Sequence, residues 1–147
     1  MLTFQSEKEM IDFGEVLASH MFAGFILTLD GDLGVGKTTF TKGIGKGLAI
    51  QKVINSPTFT IVKEYEGRLP LYHFDAYRLE GHDEELGFEE MFEDEGVCVI
   101  EWPQFIQDIL PSERLEIQIF KNEDQTRSFS FHALGESYEK IIKELNL

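Results

Sequence analysis

The chain is short of several things, and each shortage excludes something. Its 147 residues hold one cysteine, Cys98. A lone thiol makes no intrachain disulfide, and inside the apolar run Val97-Cys98-Val99-Ile100 it suits a reducing cytoplasm. No apolar run approaches the length of a membrane span. The opening Met1-Leu2-Thr3-Phe4-Gln5-Ser6-Glu7 puts no basic residue ahead of an apolar core, so no secretory signal is expected. Basic residues are scarce, 13 Lys plus Arg against 27 Asp plus Glu, for a net charge of −14. Such a surface has little hold on a phosphate backbone, since non-specific nucleic-acid affinity comes largely from Lys and Arg. A role in a nucleic-acid pathway would therefore run through a protein partner; plain solubility accounts for the charge equally well. His20, His73, His82 and His132 are scattered, and Cys98 has no companion at zinc spacing. No G-x-S-x-G elbow supports a serine hydrolase.

What is present centres on Gly31-Asp32-Leu33-Gly34-Val35-Gly36-Lys37-Thr38, a full G-x-x-x-x-G-K-[ST] phosphate loop. The apolar run Phe25 to Leu29 precedes it at buried-strand length. Thr38 to Leu48 reads as the following helix, with Phe40, Ile44 and Leu48 at spacings of four. Glycines let backbone N–H groups curl around an anion, and the helix N-terminus adds partial positive charge. Asp32, Leu33, Gly34, Val35, Gly36, Lys37, Thr38 and Thr39 are thus the expected phosphate-binding residues. Lys37 would reach the β- and γ-phosphates, and the Thr38 hydroxyl would ligate magnesium.

Around this loop the pattern predicts one α/β domain over residues 1–147. Its sheet is expected to be mixed and mostly parallel, with an antiparallel hairpin and helices on both faces. Leu2 to Phe4 reads as an edge strand. Ser6 and Glu9 form a capping box opening a helix to about Ser19, with Met10, Phe13, Leu17 and Met21 on one face. Phe59–Tyr65 and Leu69–Asp75 read as the hairpin. A short helix is expected from Glu84 to Phe92 within the acidic stretch 83–95, which is either a solvated face or a docking surface. Val97 to Ile100 is a buried strand ending at Glu101. Phe105 to Leu110 makes one or two helical turns. Strands at 115–119 and 127–132 flank a turn at 121–126, and a terminal helix carries Tyr138, Ile141, Ile142 and Leu145. No repeat or linker marks a second domain.

Hydrolysis needs more than a grip on phosphates: a magnesium-linked acid, a group that orients water, and a sensor of the γ-phosphate. Glu101 ends an apolar strand, and ligands of open α/β sheets gather at the carboxyl ends of strands. It is either the acid or a cap on the next turn, and Trp102 beside it either covers the site or packs in the core. His73 and Asp75 share a strand face. Asp75 would position water and Arg78 offset charge; otherwise His73 and Asp75 bond each other and Arg78 sits in a surface pair. Thr58, in Ser56-Pro57-Thr58, stands where nucleotide switches place a hydroxyl, although turns also favour such residues. The guanine-reading N-K-x-D order is absent, Lys121-Asn122-Glu123-Asp124 being differently arranged, so ATP is the expected nucleotide. The base would approach the 121–126 loop and the segment near Ser6.

These stretches together, with Asn55-Ser56-Pro57-Thr58-Phe59, His73-Phe74-Asp75-Ala76-Tyr77-Arg78-Leu79 and Ile100-Glu101-Trp102-Pro103, resemble the bacterial TsaE family over roughly Leu2 to Leu134. The resemblance implies a cytoplasmic P-loop ATPase, turning ATP into ADP with Mg2+, that helps install N6-threonylcarbamoyladenosine on transfer RNA beside TsaD-like and TsaB-like proteins. It also implies Lys37, Asp75 and Glu101 as catalytic groups, Thr38 and Glu101 as magnesium contacts, Thr58 in a switch-like segment, and Trp102 flanking the site. Two other functions use the same grip: a small-molecule kinase, for which no arginine-rich lid is visible, and a nucleotide-gated binding module.

Overall fold

Hydrophobic period decides most elements, and their order decides the sheet. The computed structural model describes residues 1–32, 34–57, 61–79 and 88–147, with backbone only at 78 and 79. Its strands are β1 (Leu2–Phe4), β2 (Ile26–Asp30), β3 (Val62–Tyr65), β4 (Leu71–Asp75), β5 (Val97–Glu101), β6 (Arg114–Lys121) and β7 (Arg127–Leu134). Its helices are α1 (Glu7–Ser19), α2 (Lys37–Gly47), α3 (Phe88–Glu93) and α4 (Glu136–Glu144), with 3-10 turns at Ala76–Leu79 and Pro103–Ile109.

The strands form one seven-stranded sheet in the order β1-β7-β6-β2-β5-β4-β3. The central four, β6, β2, β5 and β4, run parallel. Antiparallel β7 and β1 extend one side and antiparallel β3 the other. The expected hairpin is β3–β4, and β6–β7 is a second one. β5 is buried along its length and β2 over Ile26 to Leu29, as parallel strands covered on both faces must be.

Alternation then sorts the side chains. Val97 and Val99 face α1 and α2, in a core with Phe4, Phe40 and Phe129; Phe4–Phe129 and Phe40–Phe129 ring centroids lie 4.8 and 5.1 Å apart. Cys98 and Ile100 face the other way, onto Phe74, Phe88, Phe92 and Ile106. Burial in that second layer pushes the Cys98 thiol up to about 12, so it is a core group rather than a nucleophile. The Tyr138 hydroxyl accepts the Ile26 N–H at 2.9 Å, pinning α4 to the start of β2. Helices therefore cover both faces.

Three differences from the sequence expectation have local causes. β4 begins at Leu71, not Leu69, because Pro70 has no N–H for the ladder and its carbonyl instead accepts from Val97 at 2.7 Å. The turns after Glu101 are 3-10 and start at Pro103, whose fixed φ suits a helix start. The glycines of α2 would weaken an isolated helix. Here a Cβ on Gly43 or Gly47 would strike the backbone of α1 at Ile11 or Glu15, so these glycines let the two helices approach closely. The α3 described is Phe88–Glu93, burying Phe88 and Phe92; Glu84 to Gly87 lie outside the described residues, as do Phe59 and Thr60. Among the described residues no helix is long and apolar enough to cross a membrane.

Candidate nucleotide site

The site forms where β2 hands over to α2. Gly34 and Gly36 have φ of +81° and +109°, backbone that L side chains rarely adopt, and Gly36 leads directly into the helix. No side chain caps α2, and its first turn carries no acid. Its leading N–H groups are therefore left to an anion. Among the described residues, chain neighbours aside, nothing lies within 4 Å of where a Gly34 Cβ would sit.

A cavity of about 540 Å³ opens above this turn. Its phosphate end is lined by Gly34 to Thr39, with Ser56, Asp75, Glu101 and Trp102 opposite. Lys37 is buried; its ammonium donates to the Gly31 carbonyl at 2.6 Å and lies 3.7 Å from the Trp102 ring centroid. Desolvation holds its pKa below the ordinary lysine value, against the upward pull of Glu101, Asp30, Asp75 and Asp32. Trp102 itself sits at φ +58°, ψ +53°, a left-handed backbone uncommon for a bulky residue and a strained way to leave β5.

Parallel register brings the acids together: Asp75 on β4 is the partner of Glu101 on β5. Asp75 Oδ1 accepts the Tyr77 N–H at 3.1 Å. His73 and Asp75 do share the face toward α2, but the Nε2 of His73 meets Glu101 Oε2 at 2.5 Å. His73 is wholly buried and Glu101 nearly so. Asp32 is exposed and does not line the cavity, although its carbonyl accepts the Val35 N–H at 3.2 Å and closes the turn. Leu33 and Thr58 lie outside the described residues, and of Arg78 only the backbone, in the 3-10 turn, is described.

The other end of the cavity holds residues that the sequence read as structural or as a vague approach to the base. Phe4, Gln5, Ser6, Glu7 and Met10 form one wall, Gln125 and Arg127 the other. Arg127 donates from Nε to the Val35 carbonyl at 2.9 Å and from Nη1 to the Gln125 carbonyl at 2.7 Å, tying β7 to the phosphate loop. The β6–β7 turn that carries both is fixed by side chains: Thr126 Oγ1 donates to Asp124 at 2.6 Å, which holds that carboxyl below its ordinary range. No signal in the sequence marked Arg127, since alternation reads it only as the first residue of a strand.

The family model described as "Threonylcarbamoyl adenosine biosynthesis protein TsaE" matches residues 4–129, most of the chain. The chain belongs to the TsaE family. Among TsaE relatives, the tRNA threonylcarbamoyladenosine biosynthesis protein of Bacillus subtilis is 53% identical over 124 residues, covering 84% of this chain and 78% of that one. The protein of the same name from Haemophilus influenzae is 38% identical over 122 residues, 77% of each chain. A crystal structure of Bacillus subtilis YdiB superposes with a TM-score of 0.87 at 42% identity, covering 99% of this chain and 92% of that one. The matched span holds the phosphate loop, Asp75, Glu101 and Arg127, so the whole cavity lies within the part shared with TsaE.

Proposed function

We propose that this TsaE family member is a magnesium-dependent ATPase, one domain over residues 1–147, that supports threonylcarbamoyladenosine synthesis on transfer RNA in the cytoplasm. The observation that carries the reading is one cavity holding an uncapped helix start, a buried lysine and a buried glutamate. The loop amides and the start of α2 hold the phosphates of ATP. Lys37 exchanges its Gly31 contact for phosphate oxygens, and the added negative charge compensates the desolvation that depresses its pKa.

The donor set suits magnesium, which takes a hydroxyl or one or two carboxylates and keeps waters and phosphates for the rest. Here those are the Thr38 hydroxyl and the Glu101 carboxylate, both at the phosphate end. When bound, the ion neutralises charge developing on the transferred phosphoryl group. Asp75, steadied by the Tyr77 N–H, orients the attacking water, and ADP is the product. Trp102 covers Lys37 and excludes bulk water from it. Thr58 is the proposed γ-phosphate sensor and Arg78 a source of compensating charge. The nucleoside points toward Gln5, Ser6, Gln125 and Arg127. With a net charge of −14, the chain reaches its RNA pathway through TsaD-like and TsaB-like proteins rather than by gripping RNA.

The test is threonylcarbamoyl transfer reconstituted with TsaD-like and TsaB-like proteins, with and without this chain, alongside ATP turnover. Lys37→Ala is expected to abolish nucleotide binding or turnover. Glu101→Ala is expected to lower magnesium-dependent turnover while keeping part of the binding. Multiple rounds of transfer that proceed equally well without the chain would refute the pathway assignment; full turnover in Glu101→Ala would refute the magnesium role.

A further inference from the structure

We propose that His73 is a positioning residue for Glu101, holding one carboxylate oxygen so that the other serves the magnesium ion of the nucleotide complex. This rests on the reading of Glu101 given above. His73 lies on β4 between Leu71 and Asp75 on the face toward α2, wholly buried, beside Val99 in the register. Apolar side chains fill that layer, and an imidazole there is costly unless something requires it. Its Nε2 is 2.5 Å from Glu101 Oε2, while Nδ1 is buried with no partner among the described residues.

That orphan decides the tautomer. A proton on Nδ1 would bury an N–H without an acceptor among the described residues, whereas a proton on Nε2 meets Glu101 Oε2. Nε2 is therefore the donor into Glu101 Oε2. Glu101 also lines the cavity, and with Oε2 held by His73 the proposed contact to the ion falls to Oε1. Groups that donate to ligating carboxylates set their orientation, and removing one typically costs about 10-fold to 100-fold in metal affinity or activity.

A donor at the Nε2 position can be imitated by glutamine, whose amide nitrogen has similar reach, but not by leucine or the shorter asparagine. The experiment titrates ATP into each folded variant calorimetrically, with and without magnesium, and records turnover against magnesium concentration. Nucleotide-free melting confirms folding. For His73→Leu the expected result is a magnesium requirement raised about 10-fold to 100-fold, with magnesium-free ATP affinity unchanged. His73→Gln should stay near wild type and His73→Asn should follow leucine, which keeps the test intact if leucine does not fold. A wild-type magnesium profile in His73→Leu or His73→Asn would overturn the proposal, as would His73→Gln being as impaired as His73→Leu. If Glu101→Ala keeps the wild-type magnesium dependence, the reading of Glu101 fails and this inference with it.

Discussion

Two helices start at the same cavity, and they start in opposite ways. At α1 the Ser6 hydroxyl accepts the Glu9 N–H at 3.2 Å, and the Glu9 carboxylate accepts the Gln5 N–H at 2.5 Å. Glu7 and Glu9 put negative charge in the first turn, where the macrodipole favours it. At α2 there is no side-chain cap and no acid; instead Gly36 is left-handed and a cation, Lys37, occupies the first position. The α1 start satisfies itself and contributes stability. The α2 start is left unsatisfied and carries the wrong sign of charge, so it gains most from a bound anion. One wall of the cavity is a capped helix start, and the other is an uncapped one.

The comparison breaks most completely at Gly36. Gly36→Ala forces a side chain to φ +109° and drives a Cβ onto the Met10 side chain. It is expected to cost about 1–3 kcal/mol in urea unfolding and to abolish measurable ATP binding by calorimetry. Ser6→Ala breaks the other start, with an expected cost of about 1 kcal/mol and a far smaller effect on ATP affinity. Inorganic tripolyphosphate sharpens the contrast: it should raise the melting temperature of wild type and Ser6→Ala alike and leave Gly36→Ala unmoved.

The smallest effect concerns Lys37 without nucleotide. Its folded pKa is below 10.5, so between the two values the unfolded chain binds a proton that the folded chain does not. Unfolding stability must then rise with pH across that window and fall as pH drops through the folded pKa. Relative to Lys37→Met, in which the other groups titrate alike, wild type should gain stability as pH climbs toward 10.5. Paired urea titrations along that range read the difference.

Much of this was legible because its physics is local. The capping box at Ser6, the glycines and lysine of the loop, the apolar run of β5 and the alternation of β6 and β7 each act within a few residues. The acids were legible by position: Glu101 ends a buried strand and Asp75 ends another. The partner of His73 was not, since alternation gives a face but no neighbour, and the neighbour came from pairing β4 with β5. Arg127 was hidden for the same reason, its contact to Val35 spanning 92 positions. The glycines of α2 read as a weakness until α1 was seen against them.

The sequence by itself determined a strand, a phosphate-shaped turn and a helix, because backbone freedom and hydrophobic period need no distant partner. It also determined the net charge of −14. Only the tertiary structure decided that α1 and the β6–β7 turn close the far end of the cavity, and that a buried imidazole holds Glu101. Strand order and register set which side chains meet, and those depend on how the entire core packs.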